Sequence, residues 1–223
     1  MGKIVNSKTD KSGLKTRLEP EAYFQPGYLT KKRLITYWYQ IDETLRLGAN
    51  TILEIGPGNR FVTCCLERMG RHVNTLDIDY RLSPDCAGSV IDIPFRDSTF
   101  DAVMCFEVVE HLPFKYFPEA LKEIRRVAKT YAVISMPDYE RVYRIDIQLP
   151  KIGNIKKLIS IPRLKKPAFS FNGEHFWEIC RAGYSLNTII SCIQDIGFDV
   201  KNHYRVFEHP YHHFFILQKV SDR

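Results

Sequence analysis

"TILEIGPGNRFVT", residues 51–63, decides how this chain is read. Five strand-like residues, Thr51 to Ile55, run straight into Gly56-Pro57-Gly58, and apolar residues resume at Phe61. An acid, Glu54, sits two positions before the first glycine. Glycine carries no Cβ, so the turn either lets backbone approach a ligand closely or simply makes a tight corner. A strand, a glycine turn and a helix make half of a βαβ unit, and the rest of the chain tells whether the pattern continues.

It does. Residues 60–69 read as a helix, "HVNTLDI" as a second strand and "GSVID" as a short third. "FDAVMCF" is a fourth, continuously apolar as a strand buried on both faces must be. Residues 115–128 predict a helix with Phe117, Leu121, Ile124 and Val127 on one side, and "YAVISMP" a fifth strand. Leu186, Ile189, Ile190, Ile193 and Ile196 mark a late helix closed by Gly197. "FDVKNHYRVF" and "HHFFILQKV", joined by "EHPY", predict an antiparallel C-terminal hairpin. Upstream, Leu34, Trp38, Ile41 and Leu45 give one apolar face to a helix that Gly48 stops. The expected fold is α/β, Rossmann-like: a mostly parallel sheet with helices on both faces and an antiparallel end.

The length of 223 residues and 44% hydrophobic content suit one domain with one sizeable core. Residues 1–30 read as an N-terminal lead-in, loose and basic up to 20, then aromatic around Pro26-Gly27. Residues 139–177 break the strand and helix rhythm, with Pro150, Pro162 and Pro167, and read as a basic insertion or lid. The net charge of +6 concentrates in two places. Lys3, Lys8, Lys11, Lys15 and Arg17 lie in the lead-in; Lys151, Lys156, Lys157, Arg163, Lys165 and Lys166 lie in the insertion, where no acid occurs from Ile147 to Gly173. Such bias suits an anionic partner, whether nucleic acid, lipid or substrate, or else a solvated surface.

Six cysteines include no C-x-x-C pair, which speaks against a zinc ribbon or redox dithiol. "MGKIVNSKTDKSG" lacks an apolar core segment, and position 6 is Asn where a myristoylation signal wants Ser or Thr. No apolar run approaches the ~18 residues of a membrane span. A reduced, cytoplasmic setting is the expectation.

In open α/β sheets, ligands bind at the carboxyl ends of the strands. Gathered there are Glu54, Gly56, Pro57 and Gly58; Asp77 and Ile78; Asp92 and Ile93; Cys105, Phe106 and Glu107, followed by Glu110 and His111. Asp77 lies 21 positions after Gly56, where a carboxylate accepts both hydroxyl hydrogens of a ribose. Asp92 is placed to accept from an exocyclic amine such as that of adenine, between Ile78 and Ile93. Together these describe an adenosine site. A pyrophosphate fits poorly: the third glycine of G-x-G-x-x-G is replaced by Phe61, no P-loop occurs, and Glu54 would repel it.

"ILEIGPGNR", "VNTLDID", "GSVIDIPFRDSTFDAVMCFEVVEHLP" and "GFDV…FFILQKV" resemble the class I S-adenosylmethionine-dependent methyltransferases, well over residues 30–138 and by layout over the last forty. The resemblance implies a seven-stranded sheet with an antiparallel last strand and S-adenosyl-L-methionine as cofactor. It implies Glu54, Gly56 and Gly58 against the methionine part, Asp77 at the ribose, and Asp92 with Ile93 at the adenine. Pro57, Ile78 and Cys105 are counted with these cofactor-binding residues. Where the family's loop carries a last glycine, this chain has Arg60, which either is simply tolerated or meets the cofactor carboxylate.

In "FEVVEHLP", Glu107, Glu110 and His111 share one face if a helix starts there. His111 is the candidate general base, with Glu107 beside it. Some methyltransferases of this class use a similar pattern to hold a metal; no metal ligand is assigned here, and a polar hinge is the simpler reading. His175 and Trp177 either wall the substrate or anchor the insertion. His203, His209, His212 and His213 read as ordinary strand and turn residues. The acceptor pocket is expected from residues 20–30 and 139–177, and the acceptor is a small molecule first, with RNA open. Two other readings remain: an NAD- or nucleotide-sugar-binding Rossmann enzyme, and a non-catalytic module that binds S-adenosylhomocysteine.

Overall fold

The computed structural model describes residues 19–151, 153–163, 166–169, 171 and 173–220; the lead-in lysines, Arg17 and Lys165 lie outside them. β1 (Thr51–Ile55) lies in the middle of a seven-stranded sheet with β2 (His72–Asp77), β3 (Cys86–Ala87), β4 (Phe100–Phe106), β5 (Ala128–Pro137), β8 (Phe198–Arg205) and β9 (His212–Lys219). The order is β3-β2-β1-β4-β5-β9-β8. β1 pairs in parallel with β2 and β4, and β4 in parallel with β5. β9 runs antiparallel to both β5 and β8, as the hairpin reading requires.

Strand residues alternate between the two faces, so β1 feeds two cores. Leu53 and Ile55 pack with α3 (Phe117–Val127) and α4 (Leu186–Asp195) through Phe117, Leu121, Ile124, Ile189 and Ile193. Ile52 packs on the other face with Val62 and Leu66 of α2 (Phe61–Arg68), and with flanking residues of α1 (Lys31–Arg46). Glu54 shares that second face, which leaves a carboxylate inside an apolar layer.

α1 turns differently from the expectation. Leu34 and Trp38 are 41% and 55% exposed, and the line that faces inward is Thr36, Gln40 and Thr44. Thr44 Oγ1 donates to its own helix at Gln40 O, 2.7 Å away, so its hydroxyl is satisfied inside. Apolar and aromatic residues ring this helix nearly all round (Leu34, Ile35, Tyr37, Trp38, Tyr39, Ile41, Leu45), so the 3.6-residue period had more than one solution.

The third strand also shifts. β3 is Cys86–Ala87, and "GSVID" forms a turn instead, closed by Asp92 N–H donating to Ser89 O at 3.0 Å. The insertion contains structure of its own: β6 (Arg141–Leu149) and β7 (Gly153–Ile161) pair antiparallel as a separate two-stranded sheet. The chain then returns to the core through Trp177, which is fully buried and donates from Nε1 to Leu112 O at 3.1 Å. Trp177 is therefore the anchor of the insertion rather than a wall.

Candidate active site

The turn after β1 is built on left-handed backbone. Gly56 and Gly58 have φ of 72° and 51°, and Arg60, the residue before α2, has φ of 58°. A side chain in this region is strained by about 1–2 kcal/mol. Arg60 Nη1 donates to Ser83 O at 2.9 Å and Nη2 lies 3.6 Å from Asp85 Oδ2. The loop accommodates the Arg60 side chain, which points to the β2–β3 connection. Asn59 Oδ1 accepts from Phe61 N–H at 3.1 Å, a local turn that leads the chain into α2.

Glu54 is 4% exposed and accepts a short hydrogen bond from Thr63 Oγ1 on α2. Burial raises its carboxyl to about 7, with Thr63 and Arg60 opposing. At the next strand, Glu107 has φ of 53° and accepts from Ser135 Oγ at 2.7 Å. Glu110 follows in a single 3-10 turn, Val109–His111, so the condition of a helix starting at Glu107 is not met. It is completely buried, and neither carboxylate oxygen has a hydrogen-bond partner among the described residues. Burial pushes both carboxyls upward; the charge of Glu107 adds to this at Glu110, which rises most, whereas the Ser135 hydrogen bond and the charge of His175 oppose it at Glu107.

A cavity of about 470 Å³ joins these parts, within the usual range for a ligand site. Its wall includes Glu54, Gly56, Pro57, Gly58, Glu107, Glu110 and His111. The lead-in gives Tyr23, Tyr28 and Thr30, and the insertion gives Glu174 and His175. Arg33 of α1 is the cation there; its Nη1 donates to Tyr28 Oη at 3.1 Å and its guanidinium sits 3.9 Å over the Tyr28 ring.

The other predicted residues are placed differently. Asp77 ends β2 half-buried, raised to about 6 chiefly by burial. Tyr23 stands between it and the glycine turn: a Cβ on Gly58 would fall 2.9 Å from the Tyr23 ring, whose hydroxyl feels the charges of Asp77 and Asp79. Ile78 is partly buried and Asp92 exposed, outside the cavity wall. The structure does not bring Ile93 or Cys105 to the cavity. Ile93 is 2% exposed in the core with its N–H on Glu123, and Cys105 is fully buried, its thiol raised by burial.

Glu110, His111 and His175 place one ligand atom each within 4.8 Å of one another. The metal-type trio is thus not the sequence trio: His175 takes the place of Glu107. His111 Nδ1 faces Glu174 O at 2.9 Å, which directs Nε2 inward, 3.9 Å from Glu110 Oε1. His175 Nδ1 faces Glu178 Oε1 at 3.2 Å. Glu178 is buried, yet hydrogen bonds from His175, Tyr211 and Arg181 hold it at about 2. A buried carboxylate with no partner and two imidazoles are a suitable donor set for a divalent cation.

The sequence reading missed the contribution of the terminal hairpin. His209, Tyr211 and His212 all line the cavity, and burial lowers both histidines to about 4, so they are neutral. β9 runs antiparallel to β5, so its first residue, His212, sits beside Pro137 at the carboxyl edge. That placement follows from the hairpin itself and was available in the sequence. His213 and His203 are indeed structural: His213 Nδ1 lies 2.8 Å from Asp138 Oδ2 and its Nε2 3.0 Å from His203.

Comparison with known proteins follows the same segment. A family model described as a methyltransferase domain matches residues 53–136. An uncharacterized protein of Methanocaldococcus jannaschii is 46% identical over 44 residues, which is 20% of this chain and only 18% of that protein. The structure is similar to a Burkholderia thailandensis 1,6-didemethyltoxoflavin-N1-methyltransferase with its substrate and S-adenosylhomocysteine bound (TM-score 0.60, 10% identity, 91% of this chain, 85% of that one). It is also similar to the magnesium protoporphyrin IX methyltransferase of Synechocystis PCC 6803 with S-adenosylhomocysteine bound (TM-score 0.60, 11% identity, 89% and 92%). At such identity the structural likeness speaks for fold alone. The matched segment runs from β1, the strand leading into the glycine turn, to Met136 near the end of β5, and over that segment the chain is similar to the methyltransferase domain family.

Proposed function

We propose that the protein binds S-adenosyl-L-methionine on the Gly56–Gly58 turn and transfers its methyl group to an oxygen or nitrogen of a small-molecule acceptor held in the adjoining cavity. The observation that carries this reading is the continuity of one cavity from Glu54 and the glycine turn to Glu107, Glu110, His111 and His175. In this reading the methionine ammonium lies near Glu54, the ribose on Asp77, and the adenine near Ile78 and Asp92. The acceptor stands among Tyr28, Tyr37, His175 and Tyr211.

When bound, S-adenosyl-L-methionine would supply an electrophilic methyl whose bond pair would stay on sulfur as a lone pair of the acceptor forms the new bond. His111 Nε2 takes the acceptor proton; the Nδ1 contact to Glu174 O fixes that tautomer. The protein's main contribution is alignment of donor and acceptor in a closed site. A cation on Glu110, His111 and His175 would instead occupy His111 Nε2 and supply Lewis acidity to an acceptor oxygen in place of the base.

The reading treats the chain as a single methyltransferase domain carrying the 139–177 insertion. A reducing, cytoplasmic setting belongs to it, supported by six cysteines that are all free. No helix among the described residues is long and apolar enough to cross a membrane.

Calorimetry with S-adenosylmethionine and NAD side by side is the test. The expected result is binding of the first only; binding of NAD alone overturns the reading. Release of S-adenosylhomocysteine on addition of acceptor pools then separates an enzyme from a binding module.

A further inference from the structure

We propose that the β6–β7 hairpin docks the protein on an anionic lipid surface. The register fixes its two faces. Pairs Tyr143↔Ile159, Ile145↔Lys157, Ile147↔Ile155 and Arg141↔Ile161 share one face with Leu149. That face is largely aliphatic, with Arg141, Lys157 and Tyr143 beside the isoleucines, and Tyr143, Ile147, Ile155, Ile159 and Ile161 are 40–58% exposed.

The opposite face is polar and turned to the body. Lys156 reaches Glu208 Oε1 at 3.1 Å, Arg144 Nη1 donates to Glu208 O at 3.1 Å, and both cations approach the Phe207 ring. An ordinary surface hairpin has the reverse arrangement, with its apolar side inward. Contiguous exposed apolar surface of this kind marks an interaction site.

Charge selects the partner. Arg141 and Lys157 stand on the apolar face and Lys151 at the turn. The single acid of residues 141–161, Asp146, is on the other face opposite Lys156. A second copy docking here would set these cations against each other with no acid between them. A single-stranded nucleic acid would need stacking rings, and the face carries one, Tyr143. An anionic bilayer satisfies both features: aliphatic side chains enter the headgroup boundary and each nearby cation adds about 1 kcal/mol. The depth is limited to that boundary, because both outer edges of this two-stranded sheet keep unpaired backbone groups that need water. The hairpin leaves the main sheet just after β5, at the edge that carries the cavity.

The experiment is vesicle co-sedimentation with phosphatidylcholine alone and with phosphatidylcholine containing phosphatidylglycerol, using the full chain. Wild type should partition about tenfold more onto the anionic vesicles. Ile147→Thr with Ile155→Thr keeps β-branched strand formers, and should lower that binding about tenfold. Lys151→Glu with Lys157→Glu should abolish the preference for anionic lipid. Unchanged thermal unfolding midpoints establish that both variants fold. Wild type remaining in the supernatant, equal binding to both vesicles, or variants that bind like wild type each overturn the proposal. A dimer that the isoleucine pair dissolves would reassign the face to a second copy. Single-stranded RNA binding lost only with the lysine pair would reassign it to nucleic acid.

Discussion

The Tyr23 ring lies against Gly58, so that a Cβ there would sit 2.9 Å from its Cε1 atom. The glycine is required twice, for its φ of 51° and for this approach. Gly58→Ala should shift Tyr23 toward Asp77 and weaken S-adenosylmethionine binding about tenfold, with a modest fall in thermal midpoint of a few degrees. Calorimetry with the variant checks it. Affinity equal to wild type would mean that Tyr23 moves aside freely.

Glu54 should make cofactor affinity depend on pH. Its folded value of about 7 stands above the usual 4.5, so the unfolded chain ionises first. This group's destabilisation is therefore absent below about 4.5, grows as pH rises, and is complete above about 7. A cationic ligand favours the ionised form, so its binding should release a proton at pH 6 and tighten between pH 6 and 8. Glu54→Gln should flatten that dependence. A wild-type profile as flat as the variant's would remove Glu54 from the cofactor's surroundings.

The central strands and the glycine turn were legible because buried parallel strands are continuous apolar runs and the turn chemistry is local. "FDAVMCF" coincides with β4 to the residue. α1 misled because its buried line is Thr36, Gln40 and Thr44, which no hydropathy pattern selects. His175 and Tyr211 reach the cavity from far along the chain, through an anchored insertion and a hairpin turn, and only the packing of Trp177 and the register of β9 place them. Glu110 was visible as a residue, but its burial without a hydrogen-bond partner among the described residues was not.

That isolation yields a stability prediction. A buried carboxylate without partners is neutralised by its own proton or by a cation. With its pKa raised, Glu110 destabilises the fold increasingly as pH rises. Glu110→Gln should raise the thermal midpoint at pH 8 by a few degrees. Magnesium, manganese or zinc should raise the wild-type midpoint and leave the variant unmoved. If neither responds to any of the three, the proton alone neutralises Glu110.

His111 and His175 meet edge to face, with ring centroids 5.1 Å apart, and His111 is the one whose Nδ1 is set by a backbone carbonyl. A base acts on the methyl-transfer step and not on cofactor capture, because its proton is transferred only when the acceptor reacts. His111→Gln should therefore lower kcat about 10²–10⁴-fold. The same variant should leave S-adenosylmethionine affinity within about twofold, since His111 follows β4 and is not part of the Gly56–Gly58 turn proposed to hold the methionine part. Equal losses in kcat and cofactor affinity would make His111 a structural support of the cleft. His175→Gln should reduce kcat less, because His175 braces the partner ring and holds Glu178 at 3.2 Å.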